Sequence, residues 1–258
     1  GVNGTLSWPE RATLGIADTP LELSGLSGAV DFTAQSISAR SLTAQLWGQP
    51  VRIGIATRNA GNPDSSVTRI EAASVTPLAE LSRRIPSGLW QHLAGRLDWQ
   101  LAVDLPNRDL NRETVALGYR LTSDLKGVAI DLPAPLGKSR QQSRRLDLSG
   151  TLTPGRSTTL AGLIGDLGLA LTLRPDGDRH RSGEVGGHIR LNTRSIPPPT
   201  ERHGLLVDGT LKTLDVQSWL TRLASDNSPR HGATRGDAGP GSLPPIELQL
   251  NVGRLDLG

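Results

Sequence analysis

The string VALGYRLTSDLKGVAIDLPAPLGK, residues 115–138, decides the fold class. Val115, Leu117, Tyr119 and Leu121 occupy alternate positions, so one face of an extended strand is apolar and the other polar. Val128, Ile130 and Leu132 resume the alternation, shifted from odd to even numbers. A one-residue bulge or a tight hairpin produces such a shift. The hairpin is the reading adopted, with a turn over Asp124-Leu125 and Gly127 lending backbone freedom beside it. Leu121 then faces Val128, Tyr119 faces Ile130, and Leu117 faces Leu132 on one common surface. Pro133 and Pro135 stop the second strand, since neither donates to a ladder.

The same period recurs on both sides. Leu97, Trp99, Leu101, Val103 and Leu105 alternate with mostly polar residues and form the cleanest one-sided strand. Leu167, Leu169, Leu171 and Leu173 make another apolar face, closed by the turn sequence Pro175-Asp176-Gly177-Asp178, with Val185–Leu191 as its partner. Ile37–Trp47 and Val51–Thr57 flank Gly48 as a hairpin, with Trp47 packed on its end. Helical signals are confined to two places. Thr76 as N-cap and Pro77 at the first helical position open a helical region over Pro77–Leu93. Val216, Trp219, Leu220 and Leu223 stand at helical spacing in the second, Val216–Leu223. Residues 224–245 lack apolar periodicity and read as a mobile loop. About a dozen strands in one continuous ladder would span roughly 55–60 Å.

Composition narrows the function. Tryptophan, tyrosine and phenylalanine together make only 3% of 258 residues, so any core rests on aliphatic side chains. Cysteine is absent, which removes disulfides, thiolate metal sites and cysteine nucleophiles. The net charge of +3 is dispersed, and no basic cluster alternates with exposed aromatics, so no nucleic-acid partner is expected. His92, His180, His188, His203 and His231 show no metal-ligand spacing, and no metal or other cofactor is expected. No nucleophile elbow, dinucleotide fingerprint or phosphate loop is present, and Asp98 and Asp104 read as solvated carboxylates on a polar strand face. No catalytic residue, and hence no enzyme, is predicted. No signal peptide or long apolar run is seen, and the lack of methionine even at position 1 suggests an internal piece of a longer chain.

Many one-sided strands with two short helices leave apolar surface that must be covered. A second sheet can cover it, giving a β-sandwich. Alternatively the sheet curls into a groove filled by a ligand. The residues alone leave both open.

Four strings bear on that choice: SDLKGVAIDLPAPLGKS (123–139), GLSGAVDFTAQSISARSLTAQLWGQPV (25–51), LAGRLDWQLAVDLP (93–106) and VDGTLKTLDVQSWL (207–220). They resemble, in order and over most of the chain, YhdP-type AsmA-like proteins of the Gram-negative envelope, relatives of AsmA and TamB. The resemblance implies a mainly β fold: a long, curved, antiparallel sheet forming an open gutter-like groove across residues 1–258 as one segment. It further implies phospholipid partners, whose acyl chains the groove shields between inner and outer membranes, in the periplasm of a parent anchored in the inner membrane. A structural scaffold of the envelope without lipid cargo is the alternative. The family offers no fixed lipid-contacting motif, so the groove candidates are the inward parity of the best strands. They are Leu97, Leu101, Val103, Leu117, Tyr119 and Leu121, followed by Val128, Ile130, Leu132, Leu169 and Leu171. Lys138 reads as a solvated turn lysine, with a headgroup contact as its other role.

Overall fold

The computed structural model describes residues 3–15, 22–62, 65–84, 88–107, 116–153, 156–174, 184–199, 203–226 and 245–256. The alternating runs become β1 (Asn3–Gly15), β2 (Glu22–Thr33), β3 (Ile37–Leu46), β4 (Gln49–Arg58) and β5 (Val67–Pro77). After them come β6 (Leu93–Pro106), β7 (Leu117–Ser123), β8 (Val128–Ile130), β9 (Leu146–Leu152) and β10 (Thr158–Ile164). β11 (Leu167–Arg174), β12 (Glu184–Leu191), β13 (Gly204–Asp215) and β14 (Ile246–Asp256) complete the set. All belong to one open sheet in sequence order, with β8 off the path and paired to β6 alone. The thirteen strands on the path give twelve spacings, or roughly 58 Å of breadth at about 4.8 Å each. No second sheet faces it among the described residues, so the sandwich alternative is excluded.

Register determines which residues share a face, because directly paired residues point the same way. One row runs through Ala39, Ile55, Ile70, Val103 and Tyr119. It continues through Gly150, Leu160, Leu171, Gly187, Leu205 and Ile246. The neighbouring row passes from Leu42, Ile53, Ala72, Leu101 and Leu121 to Leu148, Gly162, Leu169, Ile189, Val207 and Leu248. From β3 to β14 the only polar side-chain atom in either row is the Tyr119 hydroxyl. The opposite face carries cross-strand ion pairs instead: Arg69–Asp104, Arg120–Asp147 and Arg190–Asp208, each at 2.7 Å. Asp104 is therefore paired to a base, where the sequence suggested a solvated carboxylate.

The 115–138 string folds by the route not chosen. β7 and β8 do not form a hairpin; both lie antiparallel to β6, with Leu101 opposite Leu121 and Gly95 opposite Val128. The paired numbers sum to 222 in β7 and 223 in β8, so one extra residue sits between the two segments as a bulge-like insertion. Leu125 takes a positive φ of 51° there and Gly127 one of 89°. The hairpin loses because the outer edge of β7 is already paired to β9. Leu132 ends up beyond β8 in a turn, not opposite Leu117.

Two further departures concern connections. The sheet is antiparallel as far as β12, but β12–β13 and β13–β14 are parallel. Each parallel join needs a crossover. Residues 192–203 supply the first, and Pro197 within them is fully buried. Ser195 and Pro197 lie against Gly168, which belongs to the polar face, so the described part of this crossover (residues 192–199) runs on that side. The second includes α2 (Val216–Asp226), longer than the expected Val216–Leu223 and reaching into the stretch read as a loop. The rest of that stretch, residues 227–244, lies outside the described residues. Asp215 caps α2, accepting from the Ser218 hydroxyl and from the Ser218 amide (2.8 Å), and these hydrogen bonds, the hydroxyl's first, hold its carboxyl below the usual range. α1 (Leu78–Arg84) and a 3₁₀ turn (Gly88–His92) fill the other helical region. Thr76 does not act as an N-cap; its hydroxyl accepts from the Trp99 indole at 2.9 Å.

Candidate functional site

The apolar face has two regimes. Over β2–β4, Leu26, Val30, Ala39, Leu42, Ala44, Leu46, Val51 and Ile53 form a core cluster, and Val51 is only 2% exposed. Trp47 and Trp99 pack against it, as the sequence suggested for Trp47. At the far end of these strands Thr57, Thr68, Asn107 and Ser66 satisfy one another. Thr57 Oγ1 lies 3.0 Å from Thr68 Oγ1, Thr68 donates to Asn107 Oδ1 at 2.8 Å, and Asn107 Nδ2 donates to Ser66 Oγ at 2.7 Å. From β9 onward the same face opens only in part: Leu148, Leu169, Leu191 and Leu211 are buried at 5–7%, while other positions are exposed. Leu152 is 36% exposed, Leu173 40%, Ile246 49% and Leu248 64%.

Bulges account for the difference. The ladder shifts register twice between β1 and β2, twice between β2 and β3, and once between β3 and β4. Each bulge bends the bulged strand and increases twist, which turns the face in on itself. The ladders from β9 to β14 contain no shift, and on them the exposed apolar side chains stand at strand ends (Leu152, Leu173) and on β14 (Ile246, Leu248).

A wall stands at one end of the strands. Leu78 of α1, Leu125 and Val128 form a second buried cluster, with Trp90, Leu97, Ile130, Leu146 and Ile164 packed against it. The 123–138 string thus closes over the end of β6, β9 and β10. Its loop is held by two cations. Lys138 is 7% exposed, and its Nζ donates to the carbonyls of Leu125 (2.8 Å), Ser139 (3.1 Å) and Val128. Burial pushes its pKa down, and Arg144 adds to the effect against the pull of Asp124. Arg144 donates to the carbonyls of Leu136 (2.7 Å), Gly137 (2.9 Å) and Pro135 (3.3 Å). Lys138 is therefore neither a solvated turn lysine nor a headgroup contact. Gly95, at φ +116°, lets the loop approach β6; a Cβ there would stand 2.0 Å from the Gly127 carbonyl oxygen. α2 docks on this wall, with Trp219 Nε1 donating to the Ala134 carbonyl at 3.3 Å and Arg222 Nη1 lying 3.2 Å from Asp131 Oδ2.

The sequence-predicted residues divide accordingly. Leu101, Val103, Leu121, Leu169 and Leu171 join Tyr119 in the two continuous rows, and Leu117 lies on the same face opposite Leu152. Leu97, Val128 and Ile130 belong to the wall cluster, and Leu132 sits in the wall's turn. Tyr119 lies across Gly150, where an added Cβ would meet its hydroxyl at 2.8 Å, and donates to the Thr159 carbonyl at 2.9 Å. Leu148, which is buried, and Leu160, Leu173, Ile189, Val207 and Leu248 complete this part of the face and were not singled out beforehand. Their alternation was visible, but their continuity with Leu101 needed the register.

The family model described as YhdP protein matches residues 2–258. The chain belongs to the YhdP family. The YhdP family is one of envelope proteins, and no helix among the described residues is long and apolar enough to cross a membrane. Among the described residues no group of three or more histidine, aspartate or glutamate side chains could hold a metal ion. No curated protein and no solved structure matched the chain.

Proposed function

We propose that the apolar face from β6 to β14 shields phospholipid acyl chains on a periplasmic path between the inner and outer membranes. One observation carries the reading: two apolar rows that cross the sheet strand by strand, with no second sheet facing them among the described residues. Membership of the YhdP family supports it. Each methylene removed from water is worth about 0.8 kcal/mol, so shielding eight of them offsets roughly 6 kcal/mol of exposure. The chemistry is passive. Apolar positions repeat at each strand, about every 4.8 Å, so a tail meets a series of weak contacts without one deep trap. Headgroups stay in water beyond the face.

A scaffold role without cargo draws support from β2–β4, where the same alternation fills itself. Lipid extraction from the purified chain followed by mass spectrometry separates the two. Co-purified phospholipid, reduced severalfold by Leu121→Asp together with Leu171→Asp while the thermal melt is retained, is the expected result. A lipid-free chain, or lipid content indifferent to both substitutions, supports the scaffold.

A further inference from the structure

A second depression lies away from the apolar face. It lies on the polar side of β3–β7, with a volume of about 490 Å³. Its floor is made of small residues at neighbouring register positions. Gly54 pairs with Glu71, Glu71 with Ala102, and Ala73 lies between Arg52 and Gln100. A Cβ at Gly54 would meet only the Ala39 carbonyl oxygen, at 3.9 Å, so the floor is open above it.

Three guanidinium groups line it: Arg40, Arg52 and Arg120. Arg40 comes from the β3 bulge. Ala39 and Leu42 both lie in the apolar core, and the two residues between them, Arg40 and Ser41, both line the depression. Bulges re-aim side chains in this way. Neither Arg40 nor Arg52 makes an ion pair with a described residue. Arg120 is held rigidly, since its Nε and Nη2 both donate to Asp147, which leaves Nη1 unused. Against these stands one lining carboxylate, Glu71. Elsewhere on this face arginines are matched by cross-strand aspartates, as in Arg69–Asp104 and Arg190–Asp208.

We propose that this depression binds an acidic peptide segment of a partner protein, on the face opposite the apolar rows. Arg52 on β4 and Arg120 on β7 are three strand spacings apart, or roughly 14 Å. That is too long for one small anion to bridge. An extended peptide rises about 3.4 Å per residue, so carboxylates four positions apart match the span. Arginine's planar donor fork suits bidentate capture of each carboxylate.

The test is titration calorimetry of this chain at low salt with the capped peptide Glu-Ser-Thr-Ser-Glu, in which surface charge is weakly screened. Arg40→Gln with Arg52→Gln should weaken binding about tenfold or more, while Arg156→Gln with Arg194→Gln, the same charge change at exposed positions elsewhere, should leave it within about twofold. Glu71→Gln should tighten it. Melts of all variants should superimpose on the parent's. No binding by the parent chain, or equal losses in the two double variants, overturns the proposal. Arg40- and Arg52-dependent binding to phosphatidylglycerol vesicles without peptide binding also overturns it, by assigning the site to a membrane surface.

Discussion

Strands β2–β4 and β9–β14 carry the same alternating pattern of aliphatic residues, yet only the second leaves several of them exposed. In the first region the apolar side chains bury one another, with Leu42 at 3% exposure; in the second Leu148 and Leu169 are buried as well, but Leu173 stays at 40% and Leu248 at 64%. Hydrophobicity does not separate them. Register does, through the bulges that curl β1–β4 and are missing from β9–β14. One sheet thereby contains a self-packed core and an open apolar surface. Alternation sets the face a side chain occupies, and bulges set whether that face closes.

A charge placed on each region breaks the comparison most sharply. Leu42→Asp buries an unpaired carboxylate and should cost about 4 kcal/mol or more, enough to unfold the N-terminal strands. Leu173→Asp leaves the carboxylate in water and should cost less than about 1 kcal/mol. Urea melts of the two variants check this, and equal costs would remove the distinction between the regions.

The wall comes next. Lys138→Met removes the ammonium that the Leu125, Val128 and Ser139 carbonyls share, leaving Leu125 only its bond from the Val128 amide, at an expected cost of about 3 kcal/mol. Hydrogen exchange should report opening of residues 123–145, with the β10–β11 amides unchanged. If protection is lost across β10–β11 as well, the wall is not a separate unit.

This wall also shows where reading the sequence stops. The alternation in 115–138 correctly puts Leu121, Val128 and Ile130 on one side, yet hairpin and bulge predict the same parity. Only the pairing of β7 with β9 chooses between them, and that contact joins residues across the intervening loop. The parallel joins at β12–β14 leave no mark in the alternation either. Lys138 misled for a different reason. A lysine among prolines and glycines usually projects into water, and nothing local reveals three carbonyls converging on it. The row Leu101, Leu121, Leu169 was legible residue by residue; its passage across the whole sheet was not.

Acid should discriminate the regions in the reverse sense. Asp104, Asp147 and Asp208 are held below the usual carboxylate range, chiefly by hydrogen bonds from Arg69, Arg120 and Arg190. A depressed folded pKa contributes stability present above the unfolded value, near 4, and lost as pH falls through the folded one. His188 Nε2, 3.0 Å from Asp208 Oδ1, stands at the same site. These pairs bridge β5–β6, β7–β9 and β12–β13. Below about pH 4, exchange protection should therefore fall in those ladders before it falls in β3–β4. Uniform loss would indicate that the pairs are too solvated to matter.

The smallest expected effect is at Tyr119. Tyr119→Phe deletes the hydrogen bond to the Thr159 carbonyl but keeps the ring over Gly150, and should cost about 1 kcal/mol.

The central claim is that the open region meets lipid tails and the curled region does not. Site-specific photo-crosslinking in cells tests it directly, with a diazirine side chain placed in turn at Leu101, Leu171 and Leu173 and at Leu42 and Val51. Phospholipid adducts at the first three positions and none at the last two is the predicted result. Adducts absent from all five, or equally abundant at Val51 and Leu173, would contradict it.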